Sequence, residues 1–173
     1  MRDRFLRSLR LLAETYQAFE RLSGRHVRAL GLTPAQFDIV ATLGNTTGMS
    51  FRELGEHTLI TKGTLTGVVD RLAVRGLVER VASNTDRRSI TVRLTTAGQR
   101  EFQRVFAPHV AHCRRGFEGF GAADLAALEG QLSRLRDGLL QAAQPASPPN
   151  AARPGRSPRA ARNGPHPCPK EHR

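Results

Sequence analysis

The chain has 173 residues, of which 39% are hydrophobic, enough for one domain with a real core. Its 27 Lys+Arg against 15 Asp+Glu leave a formal charge of +12, which points to a polyanionic partner, nucleic acid ahead of an anionic membrane surface. Two cysteines, Cys113 and Cys168, exclude a disulfide framework, and no uncharged apolar run approaches membrane-spanning length, so a soluble cytoplasmic protein with no membrane partner is expected.

Phe5, Leu9, Leu12, Tyr16, Phe19, Ser23, His26 and Leu30 follow one another at spacings of four and three. This period predicts a long amphipathic helix over about 5–30, with a seam narrow enough for helix pairing. Gly31 ends it, and "TPAQ" (33–36) restarts a helix with an N-cap threonine, a proline at the first position and a capping glutamine. "SFRE" (50–53) is a second capping box and opens a short helix bearing Leu54. After a turn at Leu59 and Ile60, Thr61 can cap a helix that carries Leu65, Val68, Val69 and Leu72 and is closed by Gly76. "LVERV" (77–81) and "SITVRL" (89–94) are short alternating runs joined by "ASNTDRR". They predict a hairpin with Ile90, Val92 and Leu94 on the core face and its positive charge at the tip.

Thr95 then caps a long helix whose stripe is Phe102, Phe106, His109, Cys113, Phe117 and Phe120. A last helix spaces Leu125, Leu128, Leu132, Leu135 and Leu139 by three and four. Continuous apolar seams on three long helices exceed what a small winged domain covers alone. The helices at about 5–30 and 96–142 are therefore expected to interlock with a second chain as a homodimer. Residues 143–173 hold eight of the ten prolines, six basic residues against one acid, and no Val, Ile, Leu or Phe, which predicts a disordered basic tail. Without it, 1–142 keeps 21 basic against 14 acidic residues, so the folded part is basic in its own right.

Two helices across a tight turn, followed by a basic-tipped hairpin, predict a winged helix-turn-helix over about 33–95. The fold class is mainly α with a small β-hairpin wing and long N- and C-terminal dimerisation helices. The second helix suits the major groove of double-stranded DNA, where Thr61, Lys62, Thr64 and Thr66 would read bases, with Arg71 further along. Arg87 or Arg88 would project from the wing into a narrow, electronegative groove. Asp86 would accept a hydrogen bond from Arg88 and fix its direction.

In "ELGEHTLITKGTLTGVVDRLAVRGLVERVASNTDRRSITVRLTTAG" the chain resembles the MarR family of bacterial transcription regulators, a resemblance that extends over residues 5–142. Asp86, Arg88, Val92, Leu94 and Thr95 meet its D-x-R-x-x-x-V-x-L-T signature, and Asp70, Arg71, Leu72, Gly76, Leu77, Val78 and Arg80 meet the preceding D-R-L-x-x-x-G-L-V-x-R. The resemblance implies an obligate homodimer, pseudo-palindromic DNA sites, and small-molecule or redox effectors that release the DNA. One departure concerns the second helix: members often carry an arginine shortly after its central threonine, where "TLTG" supplies Gly67. The stretch "LTPAQFDIVATLGN…ITKGTLTGVVDRL" is most similar to regulators of aromatic and pyridine-carboxylate catabolism, including the nicotinate group, which implies a hydroxynicotinate inducer.

The resemblance also implies an effector cleft beside the first helix. Tyr16, Phe19, Ser23 and His26 share one face there and are candidates to hold a small aromatic carboxylate; the other reading of Ser23 and His26 is core or interface packing. His109, His112 and Cys113 offer N and S ligands at i, i+3 and i+4, but no fourth ligand is near, and packing within an aromatic stripe is the expectation for them, with Cys113 an inert thiol. No metal or cofactor is expected. No nucleophile elbow, phosphate loop or paired-carboxylate pattern is present, so no enzyme is read. The function expected is an effector-responsive repressor; the alternative, favoured by the basic tail and the arginine-poor recognition helix, is a non-specific architectural DNA-binding protein.

Overall fold

A computed structural model describes residues 2–82 and 90–144. The described residues fall into two units, divided between Gly121 and Ala122. The first contains α1 (Arg2–Ala29), α2 (Pro34–Leu43), β1 (Met49–Ser50), α3 (Phe51–His57), α4 (Lys62–Val74), β2 (Val78–Ala82), β3 (Ile90–Leu94), α5 (Thr96–Arg114) and a 3₁₀ turn at Arg115–Phe117. The second contains α6 (Ala122–Ala142).

Local chemistry sets the boundaries. Both expected capping boxes form: Thr33 and Gln36 exchange side-chain and backbone hydrogen bonds at the start of α2, and Ser50 and Glu53 do so at α3. The two amide protons tied up in each box would otherwise be orphans of the first helical turn. Thr61 stands at the N-cap of α4 without bonding the helix backbone through its side chain; its hydroxyl meets that of Thr64 at 2.9 Å instead. At the other end of α4, Gly76 takes φ +69° and its N–H reaches the Ala73 carbonyl while Leu77 N–H reaches that of Leu72. That pair of bonds is a Schellman closure, and its left-handed residue is the reason for a glycine at 76.

β2 and β3 pair antiparallel from Val78↔Leu94 to Ala82↔Ile90. A two-residue strand that the sequence pattern missed, β1, flanks β3 on its other side, so the order is β1-β3-β2. Of the three residues expected on the core face, Val92 is fully buried and Leu94 packs against the core, but Ile90 is 49% exposed. Ile90, paired with Ala82, is at the end of the described ladder farthest from the buried Val78. Thr95 caps α5 as expected, accepting from Gly98 N–H and donating to the Gly76 carbonyl. A Cβ at Gly98 would collide with the Leu77 carbonyl oxygen, so a glycine there is what lets α5 begin against the strand.

The core of this unit gathers Val27 from α1, Ile39, Val40 and Leu43 from α2, Leu54 from α3, Leu65, Val68, Val69 and Leu72 from α4, Val92 from β3, and Phe102 and Val105 from α5. Asp70 on α4 and Arg80 on β2 form an ion pair, and the Arg80 guanidinium also lies 5.3 Å from the centre of the Phe51 ring. Two signature residues thereby tie α4, β2 and α3 together. The N-terminal half of α1 is different: Phe5, Leu9 and Tyr16 are exposed. Taken by itself, α6 buries no residue, and Leu132, Leu135 and Leu139 are exposed along it. Among the described residues no helix is long and apolar enough to cross a membrane.

Candidate nucleic-acid interface and adjoining cleft

The outward face of α4 follows from its period. Leu65, Val68, Val69 and Leu72 are buried, and at 100° per residue the opposite face is centred on Gly63, Gly67, Asp70 and Val74. Nothing lies within 4 Å of the place a Gly63 Cβ would occupy, so bare backbone is presented there. Lys62 and Thr66 flank this strip on the α3 side, where they line a shallow recess with Phe51, Arg52 and Gly55. Thr64 and Arg71 flank it on the other. A Gly67 Cβ would lie 3.5 Å from an Arg71 guanidinium nitrogen, so Arg71 leans back over the position from which a side chain is missing. Asp86, Arg87 and Arg88 lie outside the described residues, together with the rest of the expected wing tip.

Thr61 and Thr64 also border a second feature, a cleft of about 410 Å³ between α1, α2 and the turn that leads into α4. Tyr16, Phe19 and Ser23 come to it from α1, Phe37 and Asp38 from α2, Leu59 and Ile60 from the turn, and His109 from α5. Three of the four expected effector residues are thus brought together, and His26 is not among them. Asp38 Oδ2 accepts the Leu59 N–H at 2.8 Å, pinning the helix-turn-helix turn to α2. Burial raises the Asp38 carboxyl above the usual range, and the Leu59 N–H pulls the other way. Sequence reasoning missed Asp38; its only signal was an acid two residues beyond the capping Gln36, in the half-buried part of an otherwise apolar helix.

His26 lies against α5. Its Nδ1 is 3.1 Å from Nδ1 of His109, and its ring stacks on that of His112 with centroids 4.1 Å apart. On its outer side it lines a groove with Arg21, Leu22, Arg25, Ala29 and His112. Nε2 of His109 reaches Ser23 Oγ at 3.3 Å and Cys113 Sγ at 3.4 Å. Burial, and secondarily the neighbouring imidazoles, push His26 and His109 below the ordinary histidine value; burial pushes the Cys113 thiol up, away from the reactive thiolate. Among the described residues no three His, Cys, Asp or Glu side chains are arranged to hold a metal ion. The cluster is a hydrogen-bonded joint between α1 and α5.

Helix, turn, recognition helix and a three-stranded wing together define a winged helix-turn-helix DNA-binding protein. Residues 30–89 match the model of the MarR family. Over 131 residues the chain is 30% identical to the HTH-type transcriptional regulator YsmB of Bacillus subtilis, covering 75% of this chain and 87% of that one. It superposes on AbsC, a MarR family transcriptional regulator from Streptomyces coelicolor, with TM-score 0.71 and 26% identity over 78% of this chain and 93% of that one. A third likeness is to BpsR of Bordetella bronchiseptica, whose DNA binding is regulated by 6-hydroxynicotinic acid: TM-score 0.66, 26% identity, 74% of this chain and 91% of that one. The chain belongs to the MarR family; it is a DNA-binding transcription regulator and not an enzyme.

Proposed function

We propose that this regulator is a homodimeric repressor that grips a pseudo-palindromic operator and releases it when a small aromatic effector occupies the cleft. The observation that carries the reading is the shape of α4. On its outermost strip Gly63 presents bare backbone and Gly67 has no side chain of its own, which admits close approach to a groove floor, with Lys62 and Thr66 on one flank and Thr64 and Arg71 on the other. Arg71 would supply, from one turn further on, the guanidinium that Gly67 cannot. Asp86, Arg87 and Arg88 would make the wing contacts, Asp86 by orienting Arg88. The MarR-type domain would span 1–142, and the basic segment 143–173 would add affinity without specificity.

Dimerisation is supported by the exposed apolar faces of α1 and α6, which a second copy would cover. Tyr16, Phe19 and Ser23 would contact the effector, and His26 would act one step behind them through His109. A hydroxynicotinate-type acid draws support from the likeness to BpsR.

The test is binding to a duplex selected from random sequence. Arg71→Ala should weaken binding by about 1–3 kcal/mol and relax preference at one position per half-site, whereas Arg88→Ala should weaken it comparably and flatten the salt dependence. Unchanged binding by both variants would remove α4 and the wing from the interface.

A further inference from the structure

The charge of the cleft disagrees with an acidic ligand. Two carboxylates line it, Asp38 and Glu20, and among its described lining residues there is no arginine or lysine. The one imidazole among those lining residues, His109, is pushed below the ordinary histidine value by burial and by its histidine neighbours. The walls are rings: Tyr16, Phe19 and Phe37, with the Phe37 ring 4.4 Å from that of His109. Aromatic faces carry negative quadrupole charge, so rings and carboxylates act in the same direction, attracting cations and repelling anions. Asp38 Oδ2 has the Leu59 N–H, while Oδ1, which is not buried, has no hydrogen-bond partner among the described residues and is free to accept one from the cleft. Such a carboxylate gains from a donor that enters with a positive charge.

We propose that the cleft takes an aromatic cation, a flat ring bearing an amine or amidine, whose N–H donors are accepted by Asp38 and whose ring lies among Tyr16, Phe19 and Phe37. The proposal rests on the effector reading for its location and departs from it in the ligand's charge. Asp38 is then the hinge of the response. The same carboxylate that holds the ligand holds the Leu59 N–H, two residues before the N-cap of α4. A ligand that draws the carboxylate into the cleft loosens the turn that sets the recognition helix, and a ligand that leaves it in place does not. Glu20, exposed at the rim, adds attraction at the mouth without touching the turn.

Benzamidine, benzamide and benzoate share one shape and differ in charge, so calorimetric titration of the full-length protein with each at pH 7.5 reads the preference directly. The expected order is benzamidine, benzamide, benzoate, with roughly tenfold or more between the first and last. Asp38→Asn keeps an amide oxygen for the Leu59 N–H and removes the charge; it should weaken benzamidine by roughly tenfold and benzamide by less than about twofold. Should that variant lose its fold, Glu20→Gln on the exposed rim should still weaken benzamidine, by roughly two- to threefold. Benzoate binding tightest, a benzamidine affinity unchanged by both substitutions, or no binding by any of the three would overturn the proposal. Affinity for the selected duplex, measured in the same samples, separates it from the effector reading. The expected order with DNA affinity unmoved would support the ligand class and overturn effector release; DNA released by benzoate alone would do the reverse.

Discussion

The helix α4 and the N-terminal half of α1 carry the same signal in sequence, apolar residues three and four apart, and meet opposite fates in the fold. On α4, Leu65, Val68, Val69 and Leu72 are buried by α2, α3 and the sheet of their own chain. On α1, Phe5, Leu9 and Tyr16 remain exposed, and only at the C-terminal end does Val27 enter the core. Periodicity therefore states that a face must be covered, and says nothing of which chain covers it. The difference separates the two helices: α4 packs its apolar face on its own chain and turns its glycine strip outward, while the apolar face of α1 stays uncovered within the chain.

Each helix can be tested by truncating one of its leucines. Leu72→Ala removes a fully buried side chain and should cost about 2–5 kcal/mol of folding stability in urea denaturation, whatever the protein concentration. Leu9→Ala, at a position 50% exposed, should leave near-UV and core signals intact and instead weaken self-association in sedimentation equilibrium by about 1–2 kcal/mol. Equal effects of the two on concentration-independent stability would mean that the face of α1 is covered within the chain.

A smaller effect sharpens the joint between these regions. His26 and His109 tie α1 to α5 at 3.1 Å, and both are held below their ordinary value by burial, with His112 beside them. The folded protein thus resists protons that the unfolded chain accepts below about pH 6.5. The stability this contributes is fully present above that pH and is lost as the pH falls through the lowered folded-state values. The melting temperature should decline from pH 7.5 to 5.5, and His109→Asn should flatten that decline. A wild-type melting temperature that rises over this range would contradict the assignment.

Much of the fold was legible because its signals are local. The capping boxes at Thr33–Gln36 and Ser50–Glu53, the closure at Gly76 and the cap at Thr95 each need only residues within a turn of one another. What escaped was non-local. β1 is two residues long and exists through its pairing with Thr91 and Val92, so no alternation could announce it. The cleft assembles Tyr16, Asp38, Ile60, Thr64 and His109 from five segments, and only its α1 edge was visible as a helical face. His26 shares that face by spacing, yet an apolar stripe is wide enough for Ser23 to reach the cleft while His26 turns to α5. The negative charge of the cleft was hidden for the same reason, since Glu20 and Asp38 meet only in three dimensions.

We propose that this protein reads sequence through two copies of α4. The direct measurement is the ratio of affinities for an in-vitro-selected duplex and for a scrambled one of equal length at fixed salt. The expected ratio is about 10³ or more, with a selected site made of two inverted half-sites about one helical turn apart. A ratio near one, with no inverted repeat recovered, would contradict it and mark the protein as one that coats DNA.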